Sequence, residues 1–333
     1  IEYRGGHWMA AAERFAELAE RTSGREHDAA MYWRGRCHQR LGNRDRARQL
    51  YAANAKKRSY YGMWAARRLR ELDGGGLPGF DVRRLAPAST VTSLPAPGGP
   101  PQGIDTFHWH RFIELDGAGL PHLAHDVLRA VERAAGSGTT VRRFLFDAWR
   151  TLGRWDEALR LMASLGSATG LDSMGRRRTL YPLAYWDAVR DEAHRRQVDP
   201  LLVLALMRQE SLFDPEARSP ANAWGLMQLL PSTAQRVAAA PDLAGVDPTR
   251  LTDPTTNIRL GVAYLGSLLD LYGGNPFQAI AAYNGGEAAV DKWKQRWPGA
   301  EADEFVEAIS FRETRDYVKK VIGNYIEYRE LYE

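Results

Sequence analysis

Cysteine, lysine, long apolar runs and strand patterning are all scarce in this chain of 333 residues, and each scarcity removes a class of structure. One cysteine, Cys37, forbids an internal disulfide and any zinc site built on paired thiolates. It leaves a secreted or periplasmic compartment open. No apolar run approaches the roughly 18 residues that a membrane span needs, so no span is expected in this chain. The chain begins at Ile1 without a signal-peptide pattern and reads as a mature or trimmed fragment. Alternation of apolar and polar side chains is almost absent, which argues against sheet. The eight histidines show no metal-ligand spacing, His108 and His110 merely alternating beside a loop. No Ser-His-Asp or glycine-rich phosphate motif stands out. No metal and no cofactor is expected.

A large excess of one charge is also missing: 45 basic against 41 acidic residues give +4. The balance shifts along the chain, with +7 over residues 1–73, +3 over 74–178 and −6 over 179–333. A basic N-terminal half suits an anionic polymer. Yet 39 of the 45 cations are arginine, spread along helix faces, and there is no concentrated stripe or nucleic-acid module. No nucleic acid is expected as a partner.

What is present is helical periodicity, and the predicted fold class is all-α. Residues 1–73 read as short helices, with Phe15, Leu18 and Ala19 on one apolar face. The segment LGNRDRARQLYAA (41–53) recurs as LGRWDEALRLMAS (152–164), each with a small residue and a leucine five and eight positions after the glycine. That pattern resembles tetratricopeptide-type helical hairpins, which stack because one pair alone cannot bury its apolar face. Such hairpins could recruit protein partners. Residues 74–103 are rich in glycine, proline and serine and read as a linker. Residues 104–178 resume the hairpins, ending in the breaker-rich GSATGLDSMGRRR, and the last block covers 179–333. There Asp199-Pro200, Asp253-Pro254 and Asn275-Pro276 each pair a capping residue with proline at the first helical position. Helices are predicted near 181–196, 200–213, 232–240, 254–272, 276–283, 286–294, 303–309 and 313–331.

Within that block MRQESLF (207–213) places one carboxylate, Glu210, in a mostly apolar run. On a helix from 200 it shares a face with Leu206, Met207 and Phe213. Apolar neighbours and a negative helix end both favour the protonated acid, which is what a general acid for glycosidic cleavage requires. Taken alone, a half-exposed glutamate at a helix end is the stronger explanation.

The downstream motifs reverse that judgement. ES followed by SPANAWGLMQLLPSTA, then NIRLGVAYLGSLL (257–269), AIAAYNGGEAAVDKW (279–293) and ISFRETRDYVKKVIGNY (309–325) resemble, in order, the signature of soluble lytic transglycosylases. These are lysozyme-like enzymes, related in fold to goose-type lysozyme, that cleave peptidoglycan glycan strands. The resemblance is strong over 179–333, and KKRSYYGMWAARRL (56–69) resembles the segment where the family's helical superhelix ends. It implies a lysozyme-like α-helical catalytic domain following the hairpins, a periplasmic or cell-envelope location, and peptidoglycan glycan strands as the partner. It also implies roles. Glu210 matches the sole acid/base. Ser219 and Gln228 match residues that bond the substrate or orient the catalytic group, and Met227 one that lines the cleft. Tyr283 matches the tyrosine of the Ala-Tyr-Asn motif, and Asn284 its neighbour. Glu313 matches a glutamate that binds or positions sugar; Tyr317 is a weaker candidate. Asn222, Leu230, Gly285 and Ser310 depart from the family's usual glycine, methionine, alanine and proline.

Ordinary glycosidases need two carboxylates, and here one fits. The reaction implied is therefore intramolecular: Glu210 protonates the oxygen between MurNAc and GlcNAc, then deprotonates the MurNAc 6-hydroxyl, which closes a 1,6-anhydro ring. A lysozyme-like hydrolase using water, and a non-catalytic glycan-binding scaffold, are the alternatives.

Overall fold

The structure is a computed structural model that describes residues 2–75, 80–83, 99–136, 138–165 and 173–333. Most of the predicted linker, and residues 166–172 of the breaker-rich stretch, lie outside the described residues. Among them the chain is helical, with β pairing confined to isolated bridges at Arg218–Trp224 and Trp224–Leu229. In chain order the helices are α1 (Trp8–Arg21), α2 (Gly24–Arg40), α3 (Arg44–Ala55), α4 (Tyr60–Leu72), α5 (Thr106–Gly117), α6 (Pro121–Ala134), α7 (Thr139–Thr151), α8 (Trp155–Leu165), α9 (Ser173–Leu180), α10 (Trp186–Arg195), α11 (Pro200–Glu210), α12 (Pro231–Ala238), α13 (Pro254–Leu271), α14 (Pro276–Gly285), α15 (Glu287–Arg296), α16 (Ala302–Ala308) and α17 (Arg312–Tyr332). Among the described residues no helix is long and apolar enough to cross a membrane.

The chain divides into two compact units, one of Ile1–Asp81 with Asn275–Ile326, the other of Val82–Gly274 with Glu327–Glu333. In the first, α1 to α4 pack each on the next. Its interior is aromatic and charged together. Tyr32 and Tyr51 are fully buried, and so are the arginines Arg36 and Arg68. Buried guanidinium is costly unless paired, and the partners come from the start of α16. Arg36 reaches Asp303 at 3.0 Å and Glu301 and Glu304 at 3.1 Å. Arg68 reaches Asp303 at 3.1 Å and also pairs with Glu301, and Tyr32 donates to Asp303 at 2.5 Å. Burial works to raise the carboxyls of Glu301 and Glu304. The arginines overcome it, with a bond from Tyr3 adding to the effect at Glu304, and both are held below the usual range. Trp64 stacks on Phe277, with ring centroids 5.4 Å apart.

The second unit holds two layers of different character. In α5 to α8 an apolar core gathers Trp109, Phe112, Leu128, Leu145, Phe146 and Trp149. Further on, α11 is buried on every side from Pro200 to Met207, as expected of a helix apolar all round, and α10 and α13 pack together. The three proline starts are capped as predicted. Asp199 accepts from Leu201 N at 2.8 Å, Asp253 from Thr256 N at 2.9 Å, and Asn275, in the first unit, from Phe277 N at 3.0 Å.

Two helix boundaries differ from prediction by more than two residues. The helix expected over 181–196 begins only at Trp186, because Tyr181-Pro182 breaks it and Tyr185 is left-handed (φ 53°), while α9 occupies Ser173–Leu180. The helix expected over 200–213 ends at Glu210, since Leu212 and Phe213 take φ of 53° and 67°. Phe213 therefore shares no helical face with Glu210.

Candidate active site

Glu210 is the last residue of α11, half-buried, behind the fully buried Leu206 and Met207. The chain turns sharply after it. Ser211 N donates to Met207 O at 3.1 Å, and the Ser211 hydroxyl donates to Leu226 O at 2.9 Å. That second bond fixes the residue after Glu210 to the GLMQ loop.

The loop of residues 217–229 is a tight double hairpin. Ser219 and Ala223 are joined by one backbone bond and one bond to the hydroxyl: Ser219 N donates to Ala223 O, and Ala223 N to Ser219 Oγ, each at 3.0 Å. Trp224 and Leu229 pair through both backbone groups at 3.0 Å. The Gln228 amide donates to Ala217 O at 3.0 Å and Gly225 O at 2.9 Å. The bonds made by Ser219 and Gln228 thus shape the loop from within. Met227 is fully buried beneath it, where a Cβ on Gly261 would come within 2.3 Å of the Met227 sulfur.

Backbone strain is concentrated here. Besides Leu212 and Phe213, Asn222 (φ 65°) and Gln228 (φ 46°) are left-handed, as is Gly225 (φ 74°). Non-glycine residues hold such conformations only where the surroundings over-determine them, and they cluster at functional sites. Asn222 occupies the position where the family favours glycine; asparagine is among the few side chains that visit this region routinely. Its Oδ1 accepts from Trp224 Nε1 at 3.0 Å and Arg218 Nη2 at 2.9 Å, and the Arg218 guanidinium lies over the Trp224 ring.

One residue that sequence reasoning missed holds this loop. Asn257, fully buried on α13, accepts from Met227 N at 2.8 Å and donates to Trp224 O and Leu251 O at 2.9 Å. A Cβ on Gly225 would meet Leu251 O at 2.2 Å and the Asn257 amide at 2.4 Å, so only glycine fits. The signal was weak: Asn257 only opens the apolar run NIRLGVAYLGSLL, and a polar amide there needs partners when buried.

Asp214 and Glu216, the carboxylates that follow Glu210 most closely, are both held by Arg154, at 3.4 and 3.1 Å. Burial raises the Asp214 carboxyl, opposed by the backbone bond from Glu216 and by Arg154.

Tyr283, Asn284 and Glu313 belong to the other unit. Asn284, exposed near the end of α14, accepts from the buried Thr314 hydroxyl at 2.6 Å. Gly285 explains its departure from alanine: a Cβ there would sit 3.1 Å from Thr314 Oγ1 and 3.2 Å from the Trp293 ring. Ser310, in place of proline, accepts from Trp293 Nε1 at 2.9 Å. Tyr283 is half-buried, Tyr317 buried, and Glu313 exposed in the first turn of α17, where a carboxylate suits the helix dipole. Among the described residues no group of three or more His, Cys, Asp and Glu gathers at metal-binding range.

Comparison with known proteins adds names to this geometry. Residues 187–306 match the Transglycosylase SLT domain. The chain is 30% identical to the soluble lytic murein transglycosylase of Salmonella typhimurium over 92% of its own length and 44% of that protein's. It is 38% identical to the Escherichia coli counterpart over 45% of this chain and 23% of that one. Among solved structures it is similar to the 70 kDa soluble lytic transglycosylase SLT70 of Escherichia coli, with TM-score 0.67, 27% identity, and coverage of 91% of this chain and 46% of that one. It is equally similar, at TM-score 0.67, to an inactive glutamate-to-glutamine mutant of the lytic transglycosylase Slt from Pseudomonas aeruginosa, with 25% identity over 99% of this chain and 50% of that one. The chain spans half or less of the length of each of these proteins.

Proposed function

We infer, from the match of residues 187–306 to the Transglycosylase SLT domain, that this chain cleaves the β-1,4 bond between MurNAc and GlcNAc in peptidoglycan and leaves a 1,6-anhydro-MurNAc end. The observation that carries the reading is the setting of Glu210. It ends a buried helix, its next residue is bonded to the GLMQ loop, and the carboxylates that follow it are occupied by Arg154. In this reading Glu210 is the sole acid/base.

The atoms balance without water. The Glu210 carboxyl gives its proton to the glycosidic oxygen, which leaves as the GlcNAc 4-hydroxyl while the 2-acetamido group assists at the anomeric carbon. The Glu210 carboxylate then takes the proton of the MurNAc 6-hydroxyl, whose oxygen bonds to the anomeric carbon. The acid is regenerated. Ring closure needs no second protein carboxylate because the nucleophile is already attached to the substrate, the situation in which effective molarity is highest. Ser219, Met227, Gln228, Tyr283, Asn284 and Glu313 are proposed to shape the cleft or bind sugar. The proposed compartment is the periplasm or cell envelope, where the polymer lies, and protein partners are proposed to dock on the hairpins. The inactive glutamate-to-glutamine mutant among the similar structures supports a glutamate as the essential group.

Mass spectrometry of the products from purified peptidoglycan tests this. Anhydro ends, lighter than reducing ends by one water, are expected, and Glu210→Gln should be folded and inactive. Reducing ends would make the protein a hydrolase. A fully active Glu210→Gln would remove the site assignment.

A further inference from the structure

The turn between α7 and α8 carries Arg154, a residue outside every motif that points to the reaction. We propose that Arg154 is a positioning residue for the segment that follows Glu210, and that through it the α7–α8 hairpin forms part of the active-site scaffold. The proposal rests on Glu210 being the acid/base.

The Arg154 guanidinium is spent on three carboxylates at once. Its Nε and Nη2 grip Asp156 in a fork, at 3.0 and 2.8 Å, which sets the plane of the group. The rest of the guanidinium then faces the segment after α11, where Nη2 lies 3.4 Å from Asp214 Oδ1 and Nη1 lies 3.1 Å from Glu216 Oε2. The arginine side chain is only 15% exposed. Its backbone is fixed too, since Tyr185 donates its hydroxyl to Gly153 O at 2.9 Å.

From Asp214 the connection runs back to the catalytic end. Asp214 Oδ1 accepts from Glu216 N at 2.9 Å, and Asp214 N donates to Ser211 O at 3.1 Å. Ser211 follows Glu210 directly and is tied to Leu226 O. Between Ser211 and Asp214 lie the left-handed Leu212 and Phe213, neither of which favours that conformation on its own. Arg154 anchors one end of this strained turn and the GLMQ loop anchors the other. The job requires an arginine, because a lysine is a point charge that cannot hold one carboxylate in a fork while reaching two more. In the other copy of the repeat the matching residue is Asn43, which makes no side-chain cap bond.

The test uses the full chain and purified peptidoglycan, with new chain ends counted by mass spectrometry. Arg154→Ala should lower kcat by roughly tenfold to a hundredfold, the range expected when a reacting group is displaced by about an ångström, with KM within about twofold. Arg154→Lys should recover only a small part. Glu216→Gln combined with Arg154→Ala should cost less than the two separate losses multiplied together, as coupled partners do. Hydrogen exchange should quicken at the amides of 212–217 in Arg154→Ala and stay unchanged in α13. An unaltered kcat, a loss that only follows the folded fraction, or unaltered exchange at 212–217 would each overturn the proposal. If the wild-type chain released no products, the functional reading would fall, while the exchange measurement would still decide whether Arg154 holds the turn.

Discussion

The two copies of the repeat, α2–α3 and α7–α8, share a turn and differ in almost everything built on it. In both, the first helix closes with the same bonds. Leu41 N donates to Cys37 O at 3.0 Å and Leu152 N to Ala148 O at 3.1 Å, while Asn43 N and Arg154 N reach His38 O and Trp149 O at 2.9 Å. Gly42 and Gly153 are left-handed, at φ 78° and 75°. The small residue and the leucine that follow are buried in each copy, Ala47 and Leu50 in one, Ala158 and Leu161 in the other. The difference is in how each copy fills its interior. In the first, a Cβ on Gly35 would come within 2.6 Å of the Tyr51 ring, so the absent side chain is the room for a tyrosine. In the second, the matching positions are Phe146 and Met162, both in an apolar core. The first copy then adds a buried arginine, Arg36, whose partners come from α16, while the second pairs Arg160 with Glu132 of α6 at 2.7 Å and sends Arg154 from its turn to Asp214 and Glu216. A shared turn therefore fixes the angle of a hairpin and leaves its partners to the residues between.

That comparison can be broken most forcefully at Phe146. Phe146→Ala should destabilise the unit it belongs to by about 3–5 kcal/mol, measured by thermal or urea unfolding, because no tyrosine is placed to fill the void as Tyr51 does beside Gly35. Acid should separate the copies next. Glu301 and Glu304 have depressed folded-state values, so their stabilisation is complete above the ordinary carboxylate value of 4.5 and is lost as pH falls through the lower folded values. The first copy, which depends on them, should therefore loosen with acid before the second, as read by hydrogen exchange in α2 against α7. The smallest effect should be the one the copies share. Gly42→Ala and Gly153→Ala meet open space but force a left-handed alanine, so each should cost about 1 kcal/mol, and equally in calorimetry. Unequal costs would mean that the turns are not equivalent.

Local chemistry was what the amino-acid sequence made legible. The Asp-Pro and Asn-Pro starts and the spacing of the repeat act within a few residues, and each is found where predicted. The end of α11 was misjudged because Leu212 and Phe213 are apolar at helical spacing; periodicity cannot register that their backbones are left-handed. Glu210 stood out because a carboxylate in an apolar run is conspicuous. Asn257 and Arg154 did not, because their meaning is set by groups that lie far along the chain, Trp224 and Met227 for one and Asp214 and Glu216 for the other. The buried arginines were misread in the same way. Spread along helix faces they look like surface, and only the carboxylates of α16 show that Arg36 and Arg68 point inward.

The first unit is assembled from residues 1–81 and 275–326, with 82–274 between them. During synthesis the first four helices leave the ribosome without the acids that neutralise Arg36 and Arg68 and without Phe277, on which Trp64 stacks. At the usual 5–20 residues per second they wait roughly ten to forty seconds for them. Over that interval Arg36 lacks its carboxylate partners Glu301, Asp303 and Glu304, Arg68 has only Glu71 of its own, and the second unit, contiguous but for its last seven residues, has time to fold first.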